Sequence, residues 1–283
     1  MKNFSSRTAK PTCQHMVAVS KPGWVSHDEK PITSIDVHPD GTRFVTSGND
    51  GKVKLWAMRP CTDEAAEKDG SVRLLATLEG HFGAVNCARW SPDGRAIASC
   101  SDDHTVILWR LAAAGERGGA HAFGSAAPAN VEKWRCAATL RGHSGDVVGV
   151  AWSPDSSRVA SVSLDNEVRV WEAAAAIEPA AGASGAVSQP LVAVLRGHRA
   201  WAKGVAWDPI GRYIASQGDD RSVLLWSTSD WTLVRRVEAP FQRATEKTLF
   251  RRPGWSPDGS FLCCPHAFKR PEHIAVVLRR PVG

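Results

Sequence analysis

Serine, histidine and aspartate recur together along this chain, and these residue types are the parts of a nucleophilic triad. One set is His81, Ser99 and Asp103. In such a triad the histidine takes the proton of the serine hydroxyl, and the aspartate orients the imidazole. The same three types recur at the same spacing as His143, Ser161, Asp165 and as His198, Ser216, Asp220. One active site does not need three copies, so the repetition favours a structural role and we predict no catalytic residue.

The repetition extends to tryptophan. In each unit an aspartate lies six residues before a tryptophan, and a serine or threonine lies ten residues before it. The aligned tryptophans are Trp56, Trp109, Trp171 and Trp226. A Gly-His pair lies 28 residues before each of the last three, whereas the first unit has His27 at 29 residues, preceded by Ser26. The chain is therefore built from repeats.

The segments between these markers read as short strands joined by turns. Pro-Asp-Gly or a close variant follows one strand in each unit, and these residues favour tight turns. Residues 96–100 and 105–109 are rich in strand formers. A run of strands that ends in tryptophan resembles the WD repeat, the blade of a β-propeller. We predict an all-β WD-repeat β-propeller over residues 21–283, preceded by an N-terminal segment of residues 1–20.

In WD-repeat blades the four recurring residues form a buried hydrogen-bonded chain from tryptophan through serine or threonine and histidine to aspartate. Buried polar groups must be paired, and a fully paired network specifies one geometry. The resemblance therefore implies three structural tetrads: His81, Ser99, Asp103 and Trp109; His143, Ser161, Asp165 and Trp171; His198, Ser216, Asp220 and Trp226.

Propellers usually bind other molecules through the wide face, where a loop enters each inner strand. The residues three past the Gly-His histidines should lie on that face, and they are Ala84, Asp146 and Trp201. An exposed tryptophan is a credible anchor for a protein partner. The alternative for Trp201 is that it packs against Trp231 or a neighbouring loop.

Charge and cysteine content set further expectations. The formal net charge is +6, and eight basic residues crowd the last 41 positions, namely Arg243, Lys247, Arg251, Arg252, Lys269, Arg270, Arg279 and Arg280. No nucleic-acid-binding motif accompanies them, so we expect a solvated basic face and no direct nucleic-acid binding. The seven cysteines lack CxxC spacing, so we predict no metal site and no cofactor. Cys87 and Cys100 are interpreted as small core residues.

The spacing between units exceeds the usual repeat length, and the excess lies between blades. Residues 63–69 are charged, whereas residues 112–130 and 173–189 are rich in alanine and glycine. We interpret all three as exposed, mobile loops. No segment approaches the ~18 apolar residues of a membrane span, so we expect no membrane contact.

Several longer motifs resemble one family of WD-repeat proteins, the HIRA (Hir-type) histone chaperone subunits. They are Lys21-Pro-Gly-Trp-Val-Ser-His27, Asn130-Val-Glu-Lys-Trp-Arg-Cys136, Leu140-Arg-Gly-His-Ser-Gly-Asp-Val147, Trp207-Asp-Pro-Ile-Gly-Arg-Tyr-Ile-Ala-Ser-Gln217 and Asp219-Asp-Arg-Ser222. The resemblance implies a nuclear subunit of a complex that deposits replacement-variant histones outside replication and influences transcription. It also implies docking to other subunits, especially of the ubinuclein type, with histones as indirect partners. A sibling to keep in mind is the middle subunit of the replication-coupled chromatin assembly factor.

The same resemblance implies seven blades, whereas this sequence has four clear units and one degenerate unit. In the fifth, Ile274 stands where the blade tryptophan would fall, and Pro253 interrupts the inner strand. The N-terminal residues 16–19 resemble the strand that completes the final blade in the family. We expect an open arc with an exposed apolar flank, which would aggregate or need a partner. Such a chain would be a fragment, a splice form or an incomplete gene model.

Two other functional classes are compatible with parts of this pattern. A substrate adaptor of a ubiquitin ligase would share the fold, although neither end carries a recognisable ligase-docking segment. A hydrolase would need one serine, such as Ser99, to be an exposed nucleophile.

Overall fold

Nineteen β-strands, three short α-helices and one 3₁₀ helix (Ala239–Phe241) follow one another in the part of the chain that the computed structural model describes, residues 22–113, 130–177, 191–244, 248–269 and 272–281. The first two sheets contain β1 (Ile32–Val37), β2 (Arg43–Gly48), β3 (Lys52–Ala57), β4 (Leu74–Glu79), β5 (Val85–Trp90), β6 (Ala96–Ser101), β7 (Thr105–Leu111) and β8 (Trp134–Arg141). The next two contain β9 (Val147–Trp152), β10 (Arg158–Ser163), β11 (Glu167–Glu172), β12 (Leu191–Arg196), β13 (Ala202–Trp207), β14 (Tyr213–Gly218), β15 (Val223–Ser227) and β16 (Leu233–Val237). The fifth contains β17 (Gly254–Trp255), β18 (Phe261–Lys269) and β19 (Glu272–Arg279).

Each sheet is an antiparallel meander, and its strands lie in chain order. The orders are β1-β2-β3-β4, β5-β6-β7-β8, β9-β10-β11-β12, β13-β14-β15-β16 and β17-β18-β19. The inner strands β1, β5, β9, β13 and β17 contact one another in succession. The sheets are therefore arranged as blades around one axis, which confirms the prediction of a propeller with four regular blades and one degenerate blade.

Turns of one kind join the first two strands of every sheet. In the first of them Gly41 N–H donates to His38 O at 2.8 Å, and Gly41 has a φ of +73°. Ser156 adopts the same left-handed conformation in the third sheet, with a φ of +60°. The Pro-Asp-Gly pattern therefore predicted the turns correctly, including the one where serine replaces glycine.

The core lies between consecutive blades rather than inside any one of them. Val45, Val53 and Leu55 of the first sheet pack with Trp90 and Trp109 of the second. Similar buried clusters fill the spaces between the second and third, third and fourth, and fourth and fifth sheets. Cys87 and Cys100 are opposed in register and buried in the second sheet. Packing against both neighbours holds each of the three middle blades rigidly in place.

The two ends of the series leave apolar surface open, because the described blades form an arc and not a closed ring. Ile35 and Val37 of β1 are 61% and 48% exposed. On the fifth sheet, Phe261 of β18 and Val277 of β19 are 46% and 62% exposed. The expected closing strand at residues 16–19 lies outside the described residues.

One expectation about the spacers was wrong. Residues 63–69 are not a loop, because residues 64–68 form the short helix α2 (Glu64–Lys68), which follows another short helix, α1 (Arg59–Thr62). The Asp63 carboxylate accepts hydrogen bonds from the backbone N–H groups of Ala65 and Ala66 and so caps α2. A third helix, α3 (Ala174–Ile177), begins the later spacer, and residues 114–129 and 178–190 lie outside the described residues. No described helix has the length and apolar character needed to cross a membrane.

The expectation of a solvated basic face was also wrong for two of the eight cations. Arg251 is fully buried, and its Nε lies 2.8 Å from Asp219. Arg252 crosses to the first two blades, where its guanidinium donates to Thr33 O at 2.9 Å and to Asn86 O at 2.8 Å. The connector before β17 therefore runs through the centre of the arc.

Candidate functional site

The tetrad of the second blade is a continuous chain of side-chain hydrogen bonds. Trp109 Nε1–H donates to Ser99 Oγ at 2.8 Å. Ser99 Oγ lies 2.7 Å from His81 Nε2, and His81 Nδ1 lies 2.9 Å from Asp103. An ionised carboxylate only accepts, so Nδ1 carries the proton and the serine hydroxyl donates to Nε2.

The structure brings the residues of all three predicted tetrads together in this way. In the third blade the Trp171–Ser161, Ser161–His143 and His143–Asp165 distances are each 2.8 Å. In the fourth, the Trp226–Ser216, Ser216–His198 and His198–Asp220 distances are 2.9, 2.8 and 3.0 Å.

The first blade has a fourth tetrad, which the three predicted sets left out. Trp56 Nε1–H donates to Thr46 Oγ1 at 2.7 Å, and Thr46 lies 2.8 Å from His27 Nε2. His27 Nδ1 lies 2.7 Å from Asp50. The fixed spacing of Thr46, Asp50 and Trp56 was the available signal, and the shifted histidine obscured it.

The geometry does not offer any of these serines as a nucleophile. Ser99, Ser161 and Ser216 are each 0% exposed, and each hydroxyl is engaged by both tryptophan and histidine. Nucleophilic catalysis needs a hydroxyl that substrate can reach. The arrangement therefore serves to fix backbone positions rather than to attack a carbonyl.

The ionised carboxylates of the tetrad aspartates help to fix these backbone positions. Burial alone would raise the pKa of Asp165, but its hydrogen bond from His143, its electrostatic interaction with that imidazole, and the N–H groups of Glu167 and Ser144 outweigh burial. Together they bring the pKa of Asp165 to about 2. The same balance, again with burial opposing the hydrogen bonds, lowers the pKa values of Asp103 and Asp220.

Each tetrad also positions the loop that enters the inner strand of its own blade. Asp103 Oδ2 accepts the backbone N–H of Phe82 at 3.0 Å. The residue before each tetrad aspartate then donates its N–H to the carbonyl of a predicted docking residue: Asp102 to Ala84 at 3.1 Å, Leu164 to Asp146 at 3.0 Å and Asp219 to Trp201 at 2.8 Å. The repeated bonds place the three docking residues at equivalent points of one face.

The structure brings Ala84, Asp146 and Trp201 together around one cavity at the centre of that face. The cavity has a volume of about 450 Å³. A wider and more open depression of about 900 Å³ adjoins it and shares Trp201, Lys203 and Leu249 as lining residues. We call the two together the central groove.

Trp201 stands between the two parts of the groove with 53% of its surface exposed. It does not pack against Trp231, because that ring contacts Trp207 edge-on at 6.5 Å instead. Lys203 lies 5.2 Å from the Trp201 ring and holds its ammonium group near one face. The Trp201 ring is therefore half exposed in the groove, and its role as an anchor for a protein partner stays a prediction.

Leu249 is a groove residue that sequence reasoning missed. It is 81% exposed and lines both parts of the groove next to Trp201. It lies in the irregular connector before β17, where no repeat pattern applies. Its place therefore follows from tertiary structure alone.

The connector that carries Leu249 also forms the floor of the groove. Phe250 lines the 450 Å³ cavity, whereas Arg252 and Pro253 line a separate cavity of about 290 Å³. The Arg252 guanidinium lies 4.1 Å from the centre of the Phe250 ring. Gly204 of β13 admits the connector, because a Cβ there would lie 1.6 Å from Arg251 O. The connector therefore packs tightly against β13 beneath the groove.

The described residues bring no histidine, cysteine, aspartate and glutamate side chains into a set that could hold a metal ion. Glu272 and His273 lie on β19, where the His273 ring packs against Phe268 at 5.2 Å.

The chain matches one protein-family model and is similar to several proteins that are longer than itself. The model of the CAF1B/HIR1 β-propeller domain matches residues 17–279. The chain is 39% identical to Protein HIR1 of Cryptococcus neoformans over 93% of this chain and 29% of that protein. It is 45% identical to Protein HIRA of Oryza sativa subsp. japonica and 43% identical to Protein HIRA of Homo sapiens, each over 92% of this chain. The chain spans 25% of the length of each of the latter two.

Proposed function

Because the chain belongs to the CAF1B/HIR1 β-propeller family, we propose that it is a WD-repeat scaffold subunit of a HIRA-like histone chaperone complex. In this role it acts in the nucleus, in replication-independent nucleosome assembly and in the regulation of transcription. It contributes a docking surface and no catalytic group or cofactor. Its direct partners are other subunits of the complex, of the ubinuclein type, and it meets histones through them.

The observation that carries this proposal is the exposed Trp201 on a groove held by repeated hydrogen bonds. Tryptophan is enriched among residues that dominate protein interfaces. A surface that is rigid before binding loses less conformational entropy when a partner docks. Ala84, Asp146 and Trp201 are each fixed through their own carbonyl oxygen to a residue beside a tetrad aspartate. The loop face is therefore suited to hold a protein partner in one orientation.

The test is affinity purification of the tagged chain from nuclear extract, followed by mass spectrometry. Wild type is compared with Trp201→Ala and with Phe82→Ala. Phe82 is a matched control because it is 93% exposed and follows a tetrad histidine, yet it is not among the residues that line the groove. We expect ubinuclein-like and other chaperone subunits with wild type and Phe82→Ala. Truncating an anchor costs about 2 kcal/mol or more, so recovery with Trp201→Ala should fall about thirtyfold.

Three results would contradict the proposal. Equal recovery with Trp201→Ala, in a variant that melts like wild type, would remove Trp201 from the docking site. Recovery of ubiquitin-ligase subunits in place of chromatin proteins would assign the chain to another class. Subunits of the replication-coupled chromatin assembly factor would instead support the sibling function that the family description also covers.

A further inference from the structure

Charged side chains are distributed unevenly around the central groove. Asp102 and Asp146 line it at the second and third blades. Asp102 is exposed, and its Oδ1 accepts a hydrogen bond from Asn86 at 2.6 Å. The Asp146 side chain is 42% exposed and lies 3.4 Å from His104 Nε2, an imidazole that is charged only when protonated. Both carboxylates therefore remain available to a cation from outside.

The cations near the groove are already paired with groups of the protein itself. Lys203 lies 2.5 Å from Asp219 and donates to Thr248 O at 2.6 Å. Arg251 pairs with the same aspartate and is buried. Arg252 lies below the floor with its guanidinium bonded to two backbone carbonyls. Arg199 lines only the wider depression and is directed towards Glu238 at 3.8 Å.

Apolar side chains line the same groove as the two carboxylates. Trp201 and Leu249 rise from the middle of the groove, and Ile32, Val148 and Phe250 line the smaller cavity. A ligand that fills this surface must be apolar at one position and positively charged a short distance away. Free metal ions and small anions lack the apolar part.

We propose that the groove binds an extended polypeptide segment of the partner that carries a lysine or arginine followed or preceded by an apolar residue. The cation lies at Asp102 and Asp146, and the apolar side chain packs against Trp201 and Leu249. The inference rests on the proposed function, since it assigns a chemistry to the partner that docks there.

The apolar residues of the groove and its two carboxylates contribute differently to binding. The apolar contact supplies most of the affinity, because a half-exposed ion pair contributes modestly. The charge supplies selectivity, since an acidic residue at the same point would meet two carboxylates. Salt should weaken the preference for a cation and leave the apolar preference in place.

The test uses an immobilised library of synthetic nonapeptides with randomised sequences, probed with the purified chain. Wild type should retain peptides enriched in lysine or arginine next to a large apolar residue and depleted in aspartate and glutamate. Asp146→Asn and Asp102→Asn should each reduce the basic preference about threefold while the apolar preference persists. Trp201→Ala should lower retention of all peptides about thirtyfold.

Glu79→Gln is the control for charge and Phe82→Ala is the control for an exposed ring. Glu79 lies on β4, 60% of its side chain is exposed, and it does not line the groove. Both control variants should keep the wild-type preference. A library selection without basic enrichment, or one that Asp102→Asn and Asp146→Asn leave unchanged, overturns the inference.

The two proposals fail separately. Recovery of chaperone subunits that depends on Trp201, together with no basic preference in the library, leaves the proposed function in place and removes only the assigned chemistry. A basic preference that depends on the two aspartates, without recovery of chaperone subunits, supports the groove chemistry and contradicts the proposed function.

Discussion

Replacing Asp165 by alanine removes the end of one tetrad and three hydrogen bonds at once. The carboxylate, 6% exposed, accepts from His143 at 2.8 Å, from Ser144 N–H at 3.1 Å and from Glu167 N–H at 3.0 Å. Leaving a buried polar group without its partner costs about 1–3 kcal/mol. His143 is buried, so the full cost applies to its imidazole. Ser144 is exposed, so water can replace the lost partner of its backbone N–H. We expect a loss of about 3 kcal/mol in the free energy of unfolding.

This loss is measured by urea denaturation followed by tryptophan fluorescence, and by thermal melting. For a domain of this size it should lower the melting temperature by roughly 5–10 °C. Asp146→Ala is the matched comparison, because Asp146 lies in the same loop region and its half-exposed side chain pairs with His104 at 3.4 Å. It should cost less than about 1 kcal/mol, yet weaken partner binding. If Asp165→Ala melts like wild type but abolishes an activity, the scaffold interpretation of the tetrads is wrong.

Three more predictions concern acid, the central connector and the open flanks. Burial raises the pKa of Asp165, but its hydrogen bonds bring it to about 2, below the ordinary value of 3.8. The stability that the ionised Asp165 contributes should therefore be fully present above about pH 4 and be lost as the pH falls towards 2. In an acid titration, the difference in free energy of unfolding between wild type and Asp165→Asn should close over that range. Arg252→Gln should lower the melting temperature because it breaks the bonds to Thr33 O and Asn86 O, and an unchanged melt would show that the connector does not hold the arc. The chain alone should bind a hydrophobic dye and elute as large species, whereas Val277→Ser should reduce both; a sharp monomer peak without dye binding would refute the exposed-flank argument.

Repetition made most of the fold predictable. The Pro-Asp-Gly turns and the fixed distances from histidine to tryptophan gave the four regular blades, because each blade repeats the same local chemistry. The first tetrad was recognisable only in part, since one added residue moved His27 and serine replaced the glycine before it. The docking residues followed from their distance to the histidine, and the structure places all three around one cavity.

Contacts between residues distant in sequence were not predictable. Arg252 bonds to Thr33 across 219 positions of the chain, and nothing local in the sequence indicates that partner. The eight clustered cations suggested a solvated face, but Asp219 is placed to pair with Arg251 only when the fourth and fifth blades meet. Leu249 was likewise not predicted as a groove residue, because only the tertiary structure brings its connector beside Trp201. Helix α2 was not predicted, because the charged composition of residues 63–69 was interpreted as a loop. The capping residue Asp63 and the alanines that follow it were the signals for a helix.

Hydrogen–deuterium exchange of the chain, with and without the subunits recovered by affinity purification, tests most directly that the central groove is the docking site. We expect the partner to slow exchange in the loops that contain Ala84, Asp146 and Trp201 and in the connector around Leu249. The edge of β19 and the flank at Ile35 should exchange at the same rate in both samples. Protection at β19 or Ile35, with none in the groove loops, would contradict the account and place the partner on the open ends of the arc.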